Sequence, residues 1–146
     1  MATVIKKSAL LFFSAEQMYD LVNDVAAYPQ VVDHVVGAEI IDLSPEMMTA
    51  KLSFAKSGVE MSFTTQNNLE RPVSIALNLV DGPFTAFTGR WQFTHLREGA
   101  CKVSLYIEFV TDSALTSKLA SGLFESISHS LVDAFYERAK LIYGAE

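Results

Sequence analysis

Polar and apolar residues alternate strictly through the middle of the chain. Met48, Ala50, Leu52 and Phe54 alternate with Thr49, Lys51 and Ser53. The same period of two runs through Val59–Thr64, Val73–Leu79, Phe87–Phe93 and Cys101–Phe109. Short turn signals separate these runs: Ser44-Pro45-Glu46, Lys56-Ser57-Gly58, Arg71-Pro72, Asp81-Gly82-Pro83 and Arg97-Glu98-Gly99. Period two with short turns predicts antiparallel strands with one wet and one dry face. A strand around 38–43 completes a six-strand meander, and residues 3–13 predict a seventh strand.

Two regions depart from this period. Ser14 and Gln17 have the spacing of a capping box, and Phe13 and Met18 are placed as a hydrophobic staple. They predict a short helix over Ala15–Asn23. Asp24 is placed to cap a second short helical turn, expected to end before Pro29, because a residue preceding proline disfavours the α region. Near the C-terminus, Leu115, Leu119, Leu123, Ile127, Leu131, Phe135 and Ile142 recur at helical spacing. Lys118, Glu125, His129, Asp133, Glu137 and Lys140 take the other side. This predicts one long amphipathic helix over about 113–143, roughly 45 Å at 1.5 Å per residue.

A twisted sheet with one apolar face must cover that face. The terminal helix is the only element long enough. The fold class is therefore α+β: a single domain over residues 1–146, with a curved sheet of about seven strands around a long C-terminal helix and two short helices after the first strand.

Composition sharpens the picture. The 146 residues include 10 Phe and 5 Met, large soft side chains suited to irregular packing or an adaptable cavity wall. The net charge of -6, with no basic run longer than Lys6-Lys7, disfavours nucleic acid as a general partner, and no direct DNA binding is expected. One cysteine, Cys101, forbids an internal disulfide and fits a reducing, cytoplasmic compartment. Neither a signal peptide nor a membrane-spanning run is expected. His34, His95 and His129 lack metal spacing, and no nucleophile, phosphate or dinucleotide motif is present. No cofactor, metal or enzymatic activity is expected. A cyclase or hydrolase would need a polar group deep in the pocket, and His95 is the first to inspect.

The order of elements resembles the helix-grip fold of START-type lipid-transfer domains and polyketide cyclases. Particular segments narrow the resemblance to the coenzyme Q-binding START-type family: Phe12–Val22, Tyr28-Pro29-Gln30, Leu79-Val80-Asp81-Gly82-Pro83-Phe84 with Trp91-Gln92-Phe93, and Leu131–Phe135 with Arg138-Ala139. The stretch Val31-Val32-Asp33-His34-Val35-Val36-Gly37 departs from it by lacking the family's usual proline. The resemblance implies one of two activities. One is binding of ubiquinone or a related isoprenoid lipid in support of respiration, with transient membrane contact. The other is that of ribosome association toxins, which bind the large ribosomal subunit and inhibit subunit joining.

The ligand-wall candidates are Met61, Phe63, Leu77, Leu79, Phe87, Trp91 and Phe93 on the sheet, with Leu123, Ile127 and Leu131 on the helix. The small residues Gly122, Ser126 and Ser130 are expected beside the inward stripe, where they would leave volume unfilled. An exposed Phe84 would gate the pocket or touch a membrane, whereas a buried one would plug the core. Val31, Val32, Val35 and Val36 are candidates for the facing lip. Trp91 would donate its indole N–H to a quinone carbonyl or to the backbone.

Overall fold

The computed structural model describes residues 2–111 and 118–144. The seven strands are β1 (Thr3–Leu11), β2 (Val35–Ser44), β3 (Met47–Lys56), β4 (Val59–Glu70), β5 (Ser74–Asp81), β6 (Phe84–Arg97) and β7 (Ala100–Thr111). They form one antiparallel sheet in the order β1-β7-β6-β5-β4-β3-β2. The alternating runs become strands whose apolar positions face one side, except Val73, which precedes β5 and is exposed. Phe87, Trp91 and Phe93 are buried while Thr88, Arg90 and Gln92 between them are exposed.

Turn chemistry sets the register. Ser57 and Gly58 link β3 to β4 with φ of 52° and 81°, the positive pair that a two-residue hairpin turn demands. Gly82 and Gly89 serve close approach instead. A Cβ on Gly82 would sit 2.7 Å from Phe63 Cβ, and one on Gly89 2.9 Å from Leu77 Cδ1. The lack of side chains there lets neighbouring strands bring large residues onto the concave face.

Helix α1 (Ala15–Asn23) starts at the predicted capping box. Ser14 N–H donates to Gln17 Oε1 at 2.9 Å, and Gln17 N–H donates to Ser14 Oγ at 3.1 Å. The staple residues Phe13 and Met18 are buried. The next segment corrects an expectation. A 3-10 turn at Val25–Ala27 runs straight into α2 (Tyr28–Val31), so helical structure continues through Pro29. Pro29 lies in the first turn of α2, where its missing N–H costs no intrahelical bond.

Helix α3 spans Lys118–Tyr143. The predicted positions 113–117, Leu115 among them, lie outside the described residues. Its buried side consists of Leu123, Phe124, Ile127, Ser128, Val132, Phe135 and Ala139, while Leu131 is half-buried. The expected stripe stepped by four from Leu123 to Leu131. Four residues at 3.6 per turn drift about 40° per step, so the observed stripe mixes steps of three and four and brings in Phe124, Val132 and Ala139. Ile142 is exposed, as are Gly122, Ser126 and Ser130. The small residues expected to leave room inside are therefore on the outer side of α3.

Candidate functional site

The concave face of the sheet and α3 enclose a cavity. Ala50, Leu52 and Phe54 enter from β3, Phe63 from β4, Ile75 and Leu77 from β5, Phe87 and Trp91 from β6, and Ile107 from β7. Phe124, Ile127, Ser128 and Leu131 close it from α3. Val22, Asn23, Val25, Tyr28 and Val35 close it from the segment between β1 and β2. The wall is mostly apolar, and the free space is about 70 Å³.

One part of the sheet–helix space is filled by phenylalanine. Phe124 lies with its ring centroid 4.9 Å from Phe109, 5.2 Å from Phe84 and 5.5 Å from Phe63, in edge-on or tilted pairs. Phe54 stacks on Phe63 at 5.6 Å. Such geometry adds about 0.5–1.5 kcal/mol per pair beyond area burial.

Another part is polar. Thr65 and Asn67 continue the inward positions of β4 beyond Phe63, and both are buried. The Thr65 hydroxyl donates to Asn67 Oδ1 at 2.8 Å. Ser128 Oγ donates to the Phe124 carbonyl at 2.8 Å, and the Tyr28 hydroxyl donates to the Val22 carbonyl. Asn23 Oδ1 is buried with no hydrogen-bond partner, the one such side-chain atom among the described residues. A buried acceptor without a donor costs about 1–3 kcal/mol, so the wall beside Asn23 favours a group carrying O–H or N–H.

Of the wall candidates, Phe63, Leu77, Phe87, Trp91, Ile127 and Leu131 come together around the cavity. Met61, Phe93 and Leu123 are buried, and Leu79 half-buried, without lining it. Phe84 is buried against Phe63, Phe87, Phe109 and Phe124, so the exposure that gating or membrane contact required is absent. Val32 is buried, Val31 is half-buried and Val36 is exposed, while Val35 supplies the wall. Trp91 stacks with Phe93 and meets Phe135 edge-on. Asn23, Tyr28, Thr65, Asn67 and Ser128 were not among the wall candidates read from the sequence. The signal for two of them was present, because the alternation of β4 continues through positions 65 and 67 with polar residues facing inward.

The cavity offers little acid–base chemistry. Among the described residues Tyr28 is its sole titratable wall residue, and burial, then the nearby Asp24, push its phenol well above the ordinary range. His34, His95 and His129 are all exposed, which removes His95 from the cavity. Cys101 is buried, and desolvation, then Glu16, push its thiol up to about 11. No cluster of metal-ligating side chains occurs among the described residues. No helix among them is long and apolar enough to cross a membrane.

A seven-stranded antiparallel sheet curved around a C-terminal helix, with a cavity between them, defines the helix-grip class of START-type domains. The chain belongs to the family described as polyketide cyclase/dehydrase and lipid transport, whose pattern matches residues 13–136. It is 44% identical over 140 residues to the ribosome association toxin RatA of Vibrio cholerae, covering 96% of this chain and 97% of that one. It is 27% identical to the mitochondrial coenzyme Q-binding protein COQ10 homolog B of Xenopus laevis, covering 96% of this chain and 59% of that one. The Zhui aromatase/cyclase of Streptomyces superposes with a TM-score of 0.82 at 15% identity, over all of both chains, which shows a shared fold.

Proposed function

We propose that the protein binds a hydrophobic small molecule, without catalysing a reaction, in the cavity under α3. The observation that carries this reading is the unfilled, mostly apolar space between sheet and helix, with the unpaired Asn23 oxygen at its wall. Empty apolar volume costs stability unless something occupies it. An isoprenoid quinol, whose ring bears hydroxyls, fits the wall chemistry: the hydroxyl donates to Asn23 and the ring lies against Trp91 and Phe87. A quinone has only acceptors and would pair with the Asn23 or Asn67 amide N–H instead. At about 70 Å³ the cavity is far below the roughly 300–1,000 Å³ typical of ligand sites. Binding a prenylated ring therefore requires α3 or the 22–35 segment to move outward. The absence of a titratable acid or base on the wall, other than Tyr28, supports binding over catalysis.

Trp91, the chain's one tryptophan, reports directly on this site. Titration with a short-tailed ubiquinone, reduced and oxidised, is expected to change its emission saturably. Emission that stays unchanged with both forms and with a fatty acid counts against the reading.

A second reading is favoured by the RatA relative, a ribosome association toxin that matches almost end to end: association with the ribosome, at the large subunit if the family resemblance of the sequence holds. It places the activity on the outer surface and is compatible with a ligand inside.

A further inference from the structure

The outer face of the sheet carries a basic groove that no run of the sequence announces. Outward positions of β1, β7 and β6 bring Lys6, Arg90 and Lys102 together around Tyr106, and Lys7 also borders the groove. The register explains the convergence. Tyr106 on β7 lies opposite Lys6 on β1 and opposite Arg90 on β6, so two cations flank one strand at about 10 Å, twice the strand spacing. Lys6 Nζ sits 5.8 Å from the Tyr106 ring centroid. Lys102, four positions along β7, adds a third cation about 13 Å from Tyr106. Ser8, Gln92 and Ser104 fill the floor between them with hydroxyl and amide groups. No carboxylate lines the groove, and nearby Glu108 accepts a hydrogen bond from Tyr106.

We infer that this face is a docking surface for the phosphate backbone of RNA; the inference rests on the ribosome-association reading and locates it on the molecule. Four of the chain's eleven basic side chains gather here on a protein of net charge -6. That segregation supplies the charge complementarity that the whole-chain balance lacks. The cations are spread over a sheet surface rather than along a helix, and side-chain hydroxyls and amides between them suit phosphate and sugar oxygens. The face carries no pattern of bidentate base readers, so binding would be insensitive to sequence and strongly dependent on salt.

The test compares the wild type, the triple variant K6E/R90E/K102E, and a control, K51E/K56E on the distant strand β3 of the same sheet, which reverses two charges where the triple variant reverses three. All five positions are exposed, so the thermal transition is expected to stay within a few degrees of wild type, which is checked first. Each protein is sedimented with purified large ribosomal subunits, and titrated with naked ribosomal RNA and with anionic phospholipid vesicles. The inference expects the wild type and the control to bind naked RNA and the triple variant to lose at least tenfold in affinity. It also expects a salt slope lower by about two to three in the triple variant, from roughly 0.7–0.9 per phosphate contact. No RNA binding by the wild type, or equal binding by the triple variant, overturns the inference, as does charge-dependent binding to vesicles alone. Failure to sediment with subunits, with RNA binding and its loss intact, overturns the ribosome reading and leaves the RNA surface standing. Sedimentation with subunits by the wild type and triple variant alike does the reverse.

Discussion

The two parts of the space between sheet and helix solve the same packing problem in opposite ways. Around Phe124, rings from β3, β4, β6 and β7 pack edge to face and close the gap. Free volume remains beside these rings, and its wall also carries the smaller polar side chains of Asn23, Thr65 and Asn67. The change occurs along one strand: the inward residue of β4 passes from Phe63 to Thr65 to Asn67, about 14 Å in all. A sheet curved around a helix becomes a solid core or a binding site according to which residues occupy a few inward positions. On the proposed function, stability is expected from the ring-filled part and ligand selectivity from the polar residues.

Phe124→Ala should break the filled part. Removing the ring shared by five other phenylalanines is expected to cost about 3–5 kcal/mol. Chemical denaturation would show this as a lower midpoint with little change in slope. A loss below about 1 kcal/mol would mean the cluster is not the stabilising element.

In the polar part, Thr65→Val removes the donor to Asn67 and keeps the shape. It should cost about 1–3 kcal/mol in the free protein. The discriminating readout is ligand affinity, which should change more for a polar-headed ligand than for a fatty acyl chain. Equal effects on both would remove Thr65 from head-group recognition.

The dry side of the comparison extends to Cys101, which is fully buried. Its thiol holds its proton up to about 11 in the folded state, whereas the unfolded thiol releases it near the ordinary value. The folded state thus binds the proton more tightly, and stability is full below the unfolded pKa. It declines as pH rises from about 9 toward 11, by about 3 kcal/mol at most. Cys101→Ala should flatten that decline in urea midpoints measured between pH 8 and 11. An unchanged profile would show that the thiol does not govern it.

The smallest expected effect on stability is the sharpest on function. Ala50 is buried in the cavity wall. Ala50→Leu places three carbons into free space and should alter stability by no more than about 1.5 kcal/mol. It should also abolish the response of Trp91 to quinol.

Much of this architecture is legible in the sequence because it depends on local periodicity. Alternation fixes the strands, and Ser14 with Gln17 fixes the start of α1, since both signals involve neighbours a few residues apart. What escapes depends on pairing across the fold. Asn67 keeps the inward parity of Phe63, but its polarity reads as an end to the apolar run, so only the curved sheet shows it buried. A helix stripe of leucines drifts off axis within three steps, which is why Phe124 and Ser128 face inward while Ser126 and Ser130 do not. The altered stretch after Pro29 contributes Val35 to the wall, while Val32 is buried and Val31 half-buried without lining it. Lys6, Arg90 and Lys102 are scattered in sequence and become neighbours through strand register alone.

The central claim is that the space under α3 holds a hydrophobic ligand. Native mass spectrometry of the gently purified protein, followed by organic extraction and lipid analysis, tests it most directly, with Ala50→Leu run in parallel. The account predicts a stoichiometric isoprenoid or similar lipid on the wild type, or its uptake from added ubiquinol, and none on the filled variant. A wild type that is empty as purified and still empty after incubation with ubiquinol and ubiquinone, or a filled variant that carries the same lipid, would contradict it.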